Sequence, residues 1–130
     1  MIQHFSQVLS WIPSLLEGTK ITDLLTLSSV SVGLLISVLL AVGKISSNKI
    51  SNLFCSFYIF FFRGTPLLLQ LYFIYYGLPK INECFMISNR FLAAFIAFSL
   101  NCAAYLAEVI RSAILSIDKG QIEAARSLGL

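Results

Sequence analysis

LLTLSSVSVGLLISVLLAVG, residues 24–43, runs for twenty positions without a charged side chain. At about 1.5 Å per residue a helix of that length reaches about 30 Å, which matches the hydrocarbon core of a bilayer. The stretch therefore reads as a transmembrane helix, and it sets the class of the whole chain. Residues 91–107, seventeen positions free of charge, give a second span whose flanking Arg90 and Glu108 can reach the interface. Between these two, residues 50–79 are apolar and aromatic throughout except for Arg63. Two readings of that segment stay open. In one, a long helix over about 54–78 crosses the membrane with a kink at Pro66. In the other, Thr65 is an N-cap and Pro66 the first helical residue, so the spanning helix starts there and residues 51–62 approach along the interface. Either way the segment crosses once, which gives three spans.

Composition agrees with this reading. Of 130 residues only nine are basic and six acidic, 12% charged, where a soluble domain carries about 25%. Hydrophobic residues make up 58% and the mean hydropathy is +0.87, so there are too few charges to coat a globule this small. These values exclude a disordered tail and a collagen-like chain, and a net charge of +3 spread along the sequence does not make a nucleic-acid surface. Cys55, Cys84 and Cys102 are odd in number and form no C-x-x-C pair, so they read as small apolar residues. His4 is the single histidine, which leaves no histidine-based triad or metal site and argues for a non-catalytic chain.

Residues 1–16 place Ile2, Phe5, Leu9, Ile12 and Leu16 on one helical face and Gln3, Gln7, Ser10 and Ser14 on the other, with Trp11 present. This pattern predicts an interfacial amphipathic helix. A cleavable signal peptide fits less well, because a basic n-region and a small-residue cleavage site are both missing. Lys44, Lys49, Arg111, Lys119 and Arg126 fall on one side of the three spans and Lys20, Lys80 and Arg90 on the other. The positive-inside bias then puts the N-terminus outside and the C-terminal segment in the cytoplasm.

Within the spans, Thr22, Thr26, Ser29, Gly33, Ser37 and Ala41 form a stripe of small residues, and Ala93, Ala97, Asn101 and Ala104 form a second. Such faces let helices approach closely in lipid, so helix packing is their first explanation. Asn101 sets a hydrogen-bonding group at membrane depth, to bind a neighbouring helix or to line a path. Glu108 and Arg111, three apart, predict an ion pair on one face, with a gate or interface role as the alternative. Arg63 either faces a functional path or snorkels to the interface. After the third span, Asp118 and Gln121 have capping-box spacing and predict a short helix in the segment 112–130, on which Ala125 and Gly129 share a small face beside Glu123.

Three motifs carry a family resemblance. AYLAEVIR (104–111) followed by GQIEAARSLG (120–129) resembles the EAA region of the membrane-spanning subunits of bacterial ABC importers. FRGTPLLLQ (62–70) resembles the second-span signature of the polar amino-acid branch of that family, the branch of histidine, glutamine, arginine and glutamate importers. LEGT (16–19), with Thr22 and Gly33, is similar to the first span of that branch. Ser37 and Ser112 stand where the family often has glycine, and both are small enough to pack.

The resemblance implies an all-α membrane protein: three transmembrane helices, an N-terminal interfacial helix and a short cytoplasmic helix, forming the N-terminal part of an ABC type I permease fold. It implies a permease subunit of an amino-acid importer at the bacterial inner membrane. Such a subunit pairs with a second permease subunit in a homo- or heterodimer and works with a solute-binding protein outside. Its coupling segment docks in an ABC ATPase subunit through Gly120, Gln121, Glu123, Ala124, Ala125 and Gly129. With no G-x-x-x-x-G-K-S/T loop in the sequence, ATP and magnesium are expected on that partner, with no cofactor on this chain. The motifs make Arg63, Thr65, Pro66, Gln70, Asn101, Tyr105, Glu108 and Arg111 the candidate path or gate positions. Relatives are expected to continue past the EAA region into two more spans, so the chain reads as a permease cut inside that region. A three-span accessory or assembly protein is the competing reading; half of a secondary transporter would need an inverted repeat that is not seen.

Overall fold

The computed structural model describes the backbone of residues 2–129 and the side chains of residues 11–118, 120, 121, 123, 124 and 126–129. All described secondary structure is helical. Helix α1 covers Ile2–Ile45, α2 Lys49–Gly64, α3 Leu67–Tyr72, α4 Leu78–Ile81, α5 Arg90–Leu115 and α6 Lys119–Ser127. A wide π turn, Phe73–Gly77, joins α3 to α4, and a short 3-10 turn, Glu83–Phe85, precedes α5. Asparagines open several elements. Asn48 Oδ1 accepts from the Ile50 N–H at 3.0 Å, Asn82 Oδ1 from Cys84 at 2.9 Å and Asn89 Oδ1 from Phe91 at 2.9 Å. Each satisfies a backbone donor that a helix start leaves unpaired.

Among the described residues two helices, Trp11–Ile45 and Arg90–Leu115, are long and apolar enough to cross a membrane. The segments Lys49–Gly64 and Leu67–Ile81 make a third only if the pair, bent by 103°, counts as one span. The structure therefore shows the break at Thr65–Pro66 of the second reading, with the new helix starting one residue later than expected. The middle segment is no single kinked helix over 54–78, and Thr65 is not the N-cap. Thr65 is the C-cap of α2 at φ −112°, ψ 140°, Pro66 is the N-cap of α3 at φ −60°, ψ 136°, and Leu67 is the first helical residue. The physical reason is that a proline pushes the residue before it out of the helical region, so Thr65 is extended, and the extended ψ of Pro66 keeps the proline itself outside.

The expected boundary between an interfacial helix at 1–16 and the first span is not a break in the backbone, because α1 is continuous over 44 residues. At about 1.5 Å per residue that is about 66 Å, twice the hydrocarbon thickness. Gly18 and Pro13 are isolated, with no cluster of breakers to end the helix. Trp11, Ile12 and Leu16 are exposed, while the side chains of Ile2, Phe5 and Leu9 lie outside the described residues.

The bundle is organised around α5, which packs chiefly on α1 and also on α2 and α3. The α1 stripe is buried at Ser29, Gly33, Ser37 and Ala41, whereas Thr22 and Thr26 stand exposed beyond the crossing. A Cβ placed on Gly33 would lie 3.1 Å from both Cys102 Cβ and the Ser99 carbonyl, so this crossing depends on a residue without a side chain. Ala103 and Ala107 face Leu40, Ala41, Cys55 and Ile59 of α1 and α2. Ala93 and Ala97 instead meet Ile74 in the bent segment, so the small residues of α5 serve two neighbours on two faces. Several hydroxyls in the apolar helices turn back on their own backbone, as Ser31 Oγ does to the Leu27 carbonyl at 2.7 Å and Ser99 Oγ to Phe95 at 2.7 Å, whereas the buried Ser29 Oγ has no partner among the described residues.

Candidate functional site

Asn101, Tyr105 and Glu108 recur at i, i+4 and i+7 on α5, which stacks them on one face over about 10 Å of axial rise. Each meets a different part of the neighbouring elements.

At the first level, Asn101 Nδ2 donates to Gln70 Oε1 at 3.2 Å and to the Phe62 carbonyl at 3.3 Å. Gln70 is only 6% exposed. Its Nε2 lies within donating distance of the Phe62 carbonyl, the Thr65 carbonyl and Thr65 Oγ1, at 2.9, 3.0 and 2.7 Å. The motif residues Thr65, Gln70 and Asn101 thus converge around the break at Pro66. Of the two roles expected for Asn101, the structure displays binding to a neighbouring element.

One turn along, the Arg63 guanidinium sits 5.4 Å from the centre of the Tyr105 ring, a cation–π distance. Arg63 occupies the last turn of α2, where a cation also complements the negative end of the helix dipole. Nearby, Tyr58 Oη donates to the Leu100 carbonyl at 2.9 Å and ties α2 to α5.

At the third level Glu108 uses both carboxylate oxygens. Oε1 accepts from Arg111 Nε at 2.8 Å and from Arg111 Nη2, and Oε2 accepts from Lys44 Nζ at 2.8 Å. The ion pair expected from the i, i+3 spacing is present, and it is one half of a three-residue bridge. Lys44 was missed as a partner. It ends α1 as Glu108 nears the end of α5, and the sequence signal was that both fall on the same side of the spans. A cavity of about 410 Å³ opens beside these groups, lined by Lys44, Ser56, Arg63, Tyr105 and Glu108 among others. Lys44 and Arg111 on the carboxylate, with Arg63 lining the same cavity, set three cations against one acid at this end of the bundle.

The segment expected to carry coupling forms α6, nine residues long. Asp118 Oδ1 accepts from the Gly120 N–H at 2.6 Å and its carbonyl accepts from the Gln121 N–H at 3.1 Å, which caps the start. Gly129, at φ +79°, closes the other end in the left-handed region that glycine adopts most readily. Gly120, Gln121, Glu123 and Ala124 are exposed, and the side chain of Ala125 lies outside the described residues. Among the described residues no three His, Cys, Asp or Glu side chains converge to hold a metal ion.

Comparison with known proteins gives this arrangement a context. Residues 33–130 match the family model described as the binding-protein-dependent transport system inner membrane component. The chain is 45% identical over 126 residues to the arginine transport system permease protein ArtQ of Bacillus subtilis (strain 168), covering 97% of this chain and 57% of that protein. It is 41% identical over 123 residues to the octopine transport system permease protein OccM of Rhizobium radiobacter, covering 90% and 50%. A crystal structure titled as an amino acid ABC transporter with histidines superposes with a TM-score of 0.87 at 41% identity, covering 97% of this chain and 57% of that one. The chain thus spans between half and three-fifths of the length of these proteins. With the family model matched over 98 of the 130 residues and the fold shared at that identity, the chain belongs to the binding-protein-dependent transport system inner membrane component family.

Proposed function

We propose that the chain acts as a permease subunit of an ATP-driven amino-acid importer in the bacterial inner membrane, and that it is itself non-catalytic. In this reading ATP and magnesium are bound by a separate ABC ATPase, a solute-binding protein delivers the amino acid from outside, and a second permease subunit completes the path. The N-terminus lies outside and α6 in the cytoplasm. The observation that carries the reading is α6: a short capped helix, directly after a spanning helix, with the EAA-like residues Gly120, Gln121, Glu123 and Ala124 exposed. Docking into the ATPase is assigned to these residues together with Ala125 and Gly129. The column Asn101, Tyr105, Glu108, with Arg63, Thr65, Pro66, Gln70 and Arg111, is assigned to the path or its gate.

Uptake of labelled amino acids into vesicles, driven by ATP on the ATPase side, tests this reading. ATP-dependent accumulation of at least one amino acid is expected. Replacing Arg63 with leucine removes its charge and its contact with Tyr105, and uptake should fall about tenfold if the residue faces the path. Uptake at the native rate would assign Arg63 to interfacial snorkelling. No accumulation of any amino acid would count against the importer.

A further inference from the structure

A helix broken inside a bilayer leaves backbone groups that no water is at hand to satisfy. Here Thr65 and Pro66 are both extended, Pro66 has no N–H, and the carbonyls in the last turn of α2 have lost their helical donors. The structure fills the vacancies with side chains. Thr65 Oγ1 donates to the Phe61 carbonyl at 2.9 Å. The Phe62 carbonyl is met by Gln70 Nε2 at 2.9 Å and by Asn101 Nδ2 at 3.3 Å, and the Thr65 carbonyl by Gln70 Nε2 at 3.0 Å. The remaining acceptor of the Gln70 amide, Oε1, is taken by Asn101 at 3.2 Å. An amide this buried, with its donors and its acceptor all engaged, stands at a break where the main chain lacks helical partners.

We infer that Gln70, tied to α5 by Asn101, is the positioning residue that holds the 103° break, and that Pro66 only permits it. A proline inside a helix ordinarily kinks it; the extended Thr65 that Pro66 favours accounts for the start of the break, while the sharp turn needs donors for the carbonyls it exposes. Remove those donors and the Phe62 carbonyl is left without a partner, because its helical donor would be the N–H that Pro66 lacks, so nothing fixes the angle between the two segments. Gln70 therefore also fixes where Arg63 stands against Tyr105, since both the last turn of α2 and α5 are tied to its side chain. The inference needs only the folded chain in a membrane, so its failure and that of the importer reading are separable.

The test is a spin-label distance across the break, between exposed positions 53 and 81 of the chain in lipid nanodiscs, with the native cysteines replaced. The native chain and Pro66→Ala are expected to give the same narrow distance distribution. In Gln70→Leu the distribution should broaden and its centre shift as the break loses its fixed angle, and Asn101→Leu should broaden it to a lesser degree. A native-like narrow distance in Gln70→Leu, or straightening by Pro66→Ala alone, would overturn the inference. Should Gln70→Leu not insert, Asn101→Leu decides, and a native distribution there contradicts the tie to α5.

Discussion

Replacing Glu123 with lysine in the permease subunit is expected to abolish co-purification of the ATPase while leaving the subunit in the membrane fraction. Glu123 is exposed on α6, within the segment that resembles the EAA region. Membrane insertion rests on α1, the bent segment and α5, none of which depends on it. Reversing one charge of a desolvated interfacial pair costs about 2–5 kcal/mol, or roughly thirty-fold to several thousand-fold in affinity. Glu123→Gln keeps the shape and a hydrogen-bonding group, so a smaller loss is expected. Unchanged recovery of the ATPase with Glu123→Lys would remove α6 from the coupling role.

The second large effect is expected at Glu108. Its carboxylate separates Lys44 from Arg111 and is the one acid of the bridge joining the ends of α1 and α5. In Glu108→Gln two cations remain around a neutral amide. Hydrogen bonds to charged groups are worth about 1.5–3 kcal/mol, and since all three side chains keep partial exposure the lower half of that range is expected for the loss. Thermal unfolding in detergent should show a Tm lowered by several degrees. Adding Lys44→Met removes one of the stranded cations, and the double variant should recover part of the difference, since neighbours in one network are not additive. A Tm unchanged by Glu108→Gln would show that the bridge carries no stability.

Much of this was legible in the sequence because lipid restricts what a chain can do. Uninterrupted apolar runs had to be helices, and part of the small-residue stripe, Gly33, Ser37 and Ala41, lies where helices meet, while Thr22 and Thr26 stand outside the crossing. The Glu108 and Arg111 pair followed from spacing alone. What spacing could not supply was partnership across elements: Lys44 lies 64 residues from Glu108, and Tyr58 lies 42 from Leu100. The middle segment shows the limit most clearly. Pro66 announced a disturbance, but whether it became a kink, an N-cap or a reversal turned on where the freed carbonyls found donors, and those donors are Gln70 and Asn101, the latter on another helix. The boundary expected at residue 16 is not marked by a break in α1. Amphipathic pattern distinguishes faces of a helix, and it does not end one; α1 continues because nothing between 14 and 24 breaks it.

The proposed coupling of amino-acid import to ATP hydrolysed by a separate subunit is open to a direct measurement, the ATPase activity of the purified permease–ATPase complex in nanodiscs. Hydrolysis is expected to rise when binding protein loaded with its cognate amino acid is added, and Glu123→Lys is expected to abolish the rise. Hydrolysis indifferent to every amino acid and to the binding protein, or a chain that forms a stable membrane complex without any ATPase, would contradict it.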